Sequence, residues 1–400
     1  MRPALALLSL LASPAAAQTV TPLVDARLRY ERYERAEQDG LPEDANAVTA
    51  RVRAGVQVSE GRWSALAEAQ GNIAVVDDYF DGLSGSATQR PLIADPQNLA
   101  LYRAQLQYRS KAATVTVGRQ RIALDDERFV GAIAFRNNGQ TFDAVRAELT
   151  PLAGLKVDVS YAWSVRTIWG VDGAGARQQA VSGDTVLANL AWASPLGTLT
   201  GFAYLVDQDE AAVQGYRLSS QTYGVRLAGL RPVGEAKLSY QASWARQSDW
   251  HRNPNDYSAD YWLVDVAMDL NGPRLGAGYE VLGADRGAAL TSFQTPLATA
   301  FKFQGWADKF LTTPPDGIRD LYASAGWGWP AIGALKAVSV GAVYHRFESD
   351  RAVRHYGDEI DLLAQARLGQ TTASLRYAAY AADRLFTDTS KFWLQLDWTL

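Results

Sequence analysis

The chain has 400 residues, 48% hydrophobic and 20% charged, with 12 Trp, 18 Tyr, 33 Gly, no cysteine and a formal net charge of −4. The lack of cysteine excludes a disulfide framework, a thiolate nucleophile and a zinc–thiolate site, and the slight acidity argues against a general nucleic-acid binder. A mean hydropathy of −0.17 excludes a bundle of transmembrane helices, but not a transmembrane barrel, whose lumen half is polar.

Met1 to Ala17 reads as a secretory signal: Arg2 is the charged start, Leu5 to Ala12 a short apolar core, and Ala15-Ala16-Ala17 an A-x-A cleavage site. The mature chain is expected to begin near Gln18 and to form one domain over 18–400. No later segment offers the roughly 18 uninterrupted apolar residues of a membrane helix.

From there the period is two. Val24, Ala26, Leu28 and Tyr30 alternate with Asp25, Arg27, Arg29 and Glu31, and Val48 to Val58 alternate with Thr49, Arg51, Arg53, Gly55 and Gln57. The same alternation recurs over 156–166, 262–270 and 359–368. It closes the chain, where Phe392, Leu394, Leu396, Trp398 and Leu400 form one greasy face running to the last residue. Alternation of this kind predicts amphipathic strands, and a last strand of this kind has a reason to exist if it pairs with the first and closes a barrel.

The connections alternate too. Short ones rich in Gly, Pro, Asn and Ser, such as Ser59-Glu60-Gly61 and Asn271 to Pro273, fall between long ones such as Asp78 to Gln97, Asp125 to Asn138 and Asp285 to Asp316. This sidedness predicts an all-β, antiparallel transmembrane β-barrel of about 18 strands, with short periplasmic turns and long extracellular loops. Asp78–Gln97 and Asp285–Asp316 are then expected to be reachable from outside the cell. Trp63, Tyr102, Tyr161, Trp163, Trp192, Tyr240, Trp244, Trp327, Trp329, Tyr344 and Trp398 fall on the lipid-facing side of that register, as interfacial aromatic girdles do.

Catalytic constellations are poorly supported. His251, His345 and His355 stand in no H-E-x-x-H arrangement, His345 and His355 being expected beside a surface loop, and no G-x-S-x-G frames a serine. No metal site or cofactor is called for, and the acidic loop pairs Asp77-Asp78 and Asp207 with Asp209 and Glu210 lack full calcium-ligand spacing. The informative charges lie on the polar faces of the strands. Arg27, Arg29, Arg51, Arg53, Arg103 and Arg146 would line an early wall, and Asp265, Asp269 and Glu280 a later wall roughly across from it. A barrel this wide cannot be filled by side chains alone, so the lumen is expected to conduct unless loops fold inward.

Two stretches resemble the alginate export family of outer-membrane barrels. One is Val117 to Arg146, with Gly118-Arg119-Gln120, Arg128, Phe129, Gly131, Arg136-Asn137 and Thr141-Phe142-Asp143; the other is Pro296 to Tyr322, with Gly305-Trp306-Ala307-Asp308-Lys309-Phe310 and Asp320-Leu321-Tyr322. The resemblance implies an 18-stranded barrel in a Gram-negative outer membrane. It also implies an arginine-rich lumen that passes an anionic polysaccharide, and marks Arg119, Arg128, Arg136 and Arg146 as anion-facing. The expectation is a passive, non-enzymatic channel for anionic saccharides or oligosaccharides, held in outer-membrane lipid, with export or uptake partners in the periplasm. A general porin for small organic acids and a barrel-embedded surface hydrolase are the alternatives.

Overall fold

The computed structural model describes residues 18–36, 40–83, 89–211 and 214–400, so the signal segment expected at Met1–Ala17 lies outside the described residues. The strands are β1 (Thr19–Arg35), β2 (Asp44–Glu60), β3 (Trp63–Asp78), β4 (Asn98–Arg109), β5 (Ala113–Gln120), β6 (Thr141–Leu152), β7 (Leu155–Arg166), β8 (Ala180–Ser194), β9 (Gly197–Val206), β10 (Ser220–Val233), β11 (Ala236–Asp249), β12 (Ser258–Asp269), β13 (Pro273–Leu282), β14 (Ile318–Ile332), β15 (Leu335–Glu348), β16 (His355–Leu368), β17 (Thr371–Ala382) and β18 (Thr389–Thr399). Each pairs antiparallel with the next, and β1 pairs with β18 from Asp25↔Thr399 to Arg35↔Thr389. The sheet therefore has no free edge. That is what a strand-built membrane protein requires, because hydrocarbon offers no partner to an unpaired N–H or C=O.

Alternation along each strand sorts the side chains. On β2, Arg51 and Arg53 are each 4% exposed while Val52 between them is 50% exposed; on β12, Leu263 is 5% and Val264 57%. The exposed apolar face is the lipid face. One aromatic departs from the expected girdle: Tyr102 is buried in the lumen. The pairing of β3 with β4 jumps from Glu68↔Arg103 to Ala69↔Leu101, so Tyr102 is the extra residue of a β-bulge, and a bulge breaks simple period-two alternation.

Eight connections of two or three residues mark one end of the barrel and nine of six to 35 residues the other. The longest do not stay outside, as the sequence suggests. Loop 283–317 is exposed near Arg286 and at Leu311, but Phe293, Leu297, Phe301, Ala307 and Phe310 between them are buried, as are Ile93 and Asp95 in loop 79–97. These segments run into the barrel, together with loop 121–140 between β5 and β6.

The register carries a prediction. Arg at Val264 faces hydrocarbon and should destabilise the fold by about 2–4 kcal/mol near the midplane. Arg at Gln105, which lines a lumen cavity of 370 Å³, should cost far less. Equal destabilisation in a folding titration would contradict this facing.

Candidate functional site

The site is the interior where loops 121–140 and 283–317 meet. They are locked together by a parallel bridge at Val130 and Leu297. The Gly131 N–H donates to the Leu297 carbonyl at 2.8 Å, and the Thr299 hydroxyl donates to the Glu127 carboxylate at 2.6 Å. Gly131 is required there, since a Cβ would come within 2.1 Å of the Thr299 hydroxyl. Gly305 is required twice over: its φ is +80°, and a Cβ would meet the Glu359 carboxylate at 2.4 Å. Asp125, Glu127, Ile133, Gln304 and Asp308 also hold positive φ. Ile133 is β-branched, so only surrounding contacts hold such a conformation.

Side chains of the wall and of the inward loop 79–97 pin both loops in place. Asp95 accepts the Asn137 N–H at 2.7 Å, Gln70 donates to Asn138 at 2.9 Å, and Asn137 donates to Thr49 at 2.8 Å. On the other side Glu359 accepts the Ala307 N–H at 2.7 Å, Asp361 the Trp306 N–H at 3.1 Å, and Gln247 the Gln294 N–H at 2.7 Å.

The expected arginines are almost all engaged. Arg27 pairs with Asp397 (2.7 Å), Arg29 with Asp95 (3.0 Å), Arg51 with Asp25, Arg103 with Glu68 (2.6 Å), Arg119 with Asp143 (2.8 Å) and Arg146 with Asp158 (2.5 Å). Arg53 donates to Gln70 (2.6 Å) and lies 4.0 Å over the Tyr102 ring. Arg27 and Arg29 also donate to the Phe135 carbonyl, and Arg53 to that of Asn137. Arg128 and Arg136 belong to the loop itself. Arg128 reaches Glu280 at 2.5 Å and Arg136 reaches Asp308 at 2.7 Å, leaving them 2% and 6% exposed, with almost no surface to offer a solute.

Burial pulls the Arg136 guanidinium down, but Glu31, Asp308 and Asp95 outweigh it and hold it above its ordinary value. Arg128 follows the same balance against Glu280. Burial raises the Glu127 carboxyl, yet bonds from Lys302, Thr299 and the Ala132 N–H bring it below the ordinary range. A depressed carboxyl stabilises above its unfolded pKa, so this latch is intact at neutral pH and is lost only as pH falls through the folded value.

The acidic residues are less uniform than expected. Glu280 is fully paired, also accepting the Tyr261 hydroxyl at 2.8 Å. Asp265 accepts the Tyr322 hydroxyl at 2.8 Å, and Asp269 sits at a short turn, capping the Asn271 N–H at 3.0 Å. Asp265 and Glu280 share a 320 Å³ cavity with Asp320, Asp361 and His345. His345 is in the lumen, 2.9 Å from Asp320, and not beside a surface loop; β15 carries it inward. All three histidines face carboxylates.

Sequence reading missed Glu31, Asp95, Asp308 and Lys391, whose pairing is visible only once the loops fold inward. It also missed Arg121 and Arg376. Arg376 alternates with Leu375 and Tyr377 on β17, a signal that was available.

Replacing Arg128 by Ala should leave Glu280 buried without its cation, held only by the Tyr261 and Gln304 donors, a loss of about 3–5 kcal/mol for such a pair. Because the pair joins a loop to the wall, the loss should be local. Faster hydrogen exchange over 121–140 with unchanged exchange in the strands is the expected result.

The comparisons agree with this architecture. The alginate export family model matches residues 23–351. Acinetobacter baumannii OccAB4 shares 13% identity with the chain at a TM-score of 0.71, over 97% of this chain and 99% of its own. Pseudomonas aeruginosa OccK9 (OpdG) shares 12% at 0.71 over 95% and 98%, and Pseudomonas aeruginosa OpdK, solved with vanillate, 11% at 0.68 over 95% and 98%. Among curated proteins none matches. At these identities the neighbours share the closed barrel fold, and with the family match they identify an outer-membrane channel of a Gram-negative bacterium. The chain belongs to the alginate export family.

Proposed function

We propose that this channel conducts small anionic solutes, of the size of a sugar acid or a simple organic acid, along the arginine wall. The loops narrow the lumen, which favours small solutes over an extended polymer. The arginine set then divides in two. Arg29, Arg128 and Arg136 hold the loops, whereas Arg103, Arg119 and Arg146 keep 15–19% of their side chains exposed beside their carboxylate partners.

The observation that carries the reading is the 370 Å³ cavity in which Arg103, Arg121 and Arg146 outnumber the carboxylates Glu127 and Glu148. Arg121 is exposed there and, among the described residues, makes no hydrogen bond or ion pair. A free guanidinium keeps its charge at any usable pH and offers a fork of donors to a carboxylate. The acidic cavity at Asp265 and Glu280 lies across the barrel, since β4, which carries Arg103, and β13, which carries Glu280, are nine strands apart in a ring of 18. The two walls set up a transverse field that draws anions to the arginine side. The vanillate in the OpdK structure is a small carboxylate, a cargo of the proposed kind.

Reversal potential in a planar bilayer under a salt gradient tests this. Arg121→Gln should lower the anion preference. The drop should be larger at low salt than at high salt, where screening within about 8–10 Å already mutes the charge. A wild-type channel without anion preference, or an unchanged potential in Arg121→Gln at low salt, would remove the basis of the reading.

A further inference from the structure

No strand of the barrel lies at an edge, but one seam is short. The ladder between β4 and β5 runs from Arg109↔Thr114 only as far as Ala104↔Arg119, while β4 continues to Asn98. On its other side this stretch stays paired, from Leu101↔Ala69 to Asn98↔Asn72 on β3. The cause is the inward loop. The chain leaves the wall at Gln120, runs through the lumen over 121–140 and rejoins the wall at Thr141, which pairs with Arg166 of β7. Beyond Ala104, β4 therefore faces the ends of β6 and β7 and loop 167–179 across a missing length of strand. At membrane depth such a break is tolerated where side chains serve the backbone or the break lines a watery cavity. Both hold here. Arg119 donates to the Leu101 carbonyl at 3.1 Å, and the Val171 N–H donates to the Asn98 side chain at 3.1 Å.

The seam contains a cavity of 250 Å³ that draws residues from both sides of the wall. Leu99 and Leu101 come from the exposed lipid face, and Gln70, Tyr102 and Asn138 from the buried lumen face. Ile73 and Val75, nearer the loop end of the adjoining β3, are exposed too, so the seam lies within the apolar band. Loop 167–179 is tied down beside it: Arg177 lies 5.1 Å over Phe80 and 5.2 Å over Trp169. The inner end is basic. Arg119 and Arg166 share one carboxylate, Asp143, at 2.8 and 3.5 Å. The buried Arg166 Nε and Tyr102 hydroxyl have no hydrogen-bond partner among the described residues.

We propose that this seam is a lateral site for an amphipathic anion. The head, a sulfate, phosphate or carboxylate, takes the spare donors of Arg166, Arg119 and Tyr102. The alkyl chain passes between β4 and loop 167–179, over Leu99 and Leu101, into the surrounding hydrocarbon, where its burial is favourable. Neither a small hydrophilic anion nor a neutral lipid matches both ends. The site stands apart from axial permeation and does not depend on the anion preference of the lumen.

Photolabelling of the full-length protein in phosphatidylcholine vesicles tests this. The probe is an alkyl sulfate with a diazirine at the end of its chain, and labelled peptides are read by mass spectrometry. Label should concentrate on 98–102 and 166–171. Octyl sulfate should displace it, whereas methyl sulfate and octanol, which bring only the head or only the chain, should not. Arg166→Gln should weaken displacement by octyl sulfate about tenfold or more, the value of one charge-assisted contact. The chain has no cysteine, so Asn98→Cys with Val171→Cys allows a single disulfide across the seam. Oxidation should remove the label and reduction restore it. Ala100→Trp, which fills the cavity from β4, makes the same comparison if the pair does not oxidise. Heat-dependent electrophoretic mobility reports folding, and Arg166→Lys replaces Arg166→Gln if the latter does not fold, with a smaller expected loss. A second arm uses phosphatidylglycerol with the diazirine in its acyl chain. Seam label from it alone assigns the site to a membrane lipid, and from the alkyl sulfate alone to a free amphiphile. Label spread evenly over the lipid-facing residues, displacement by octanol as effective as by octyl sulfate, or label unchanged in the folded variants overturns the site.

Discussion

Everything inside this barrel depends on a web of buried charge. Arg29, Arg136 and Lys391 face Glu31, Asp95 and Asp308, three cations against three carboxylates, drawn from β1, β18 and three long loops. Charges this buried are tolerated only when paired. Each partner therefore fixes the place of another, and removing one would leave the rest uncompensated. The loops are held inside the lumen by this requirement, with the apolar packing of Phe135, Phe301 and Trp393 around it.

The web also decides which charges are available to a solute. An arginine with two protein partners has little left to offer an anion, however many arginines line the wall. In the proposed anion channel the cations open to a solute are those that make no ion pair among the described residues, Arg121 and Arg376 among them, with partial help from Arg103, Arg119 and Arg146. Arg128 and Arg136 show the contrast. They lie in the stretch that resembles the family, yet their place is in loop anchoring, which equally explains why Gly131 stands among them.

The barrel was legible because its signal is local and repeated. The face of Val52 or Val264 follows from its immediate neighbours, and strand closure follows from the greasy face of Phe392 to Leu400. Tyr102 was misplaced because a bulge shifts alternation by one without leaving a mark in composition. The interior was legible only in part. The arginines of β1 and β2 could be assigned to the lumen, but their partners Asp95, Asn137 and Phe135 come from loops distant in sequence. Nothing in the period-two pattern tells whether a loop of 20 or 35 residues turns outward or inward. The apolar residues of 293–310 were the available hint, since an exposed loop has little use for Phe293, Leu297, Phe301 and Phe310.

The inward loops are the central structural claim, and single-channel conductance tests it most directly. Replacing residues 127–136 with a short Gly-Ser connection removes Arg128, Phe135 and Arg136 from the lumen while leaving β5 and β6 intact. If the loop fills the lumen, conductance should rise several-fold in the folded variant, toward that of a wide water-filled barrel. Conductance equal to that of the unaltered protein would show that the loop lies outside the conducting path, and would contradict the interior described above.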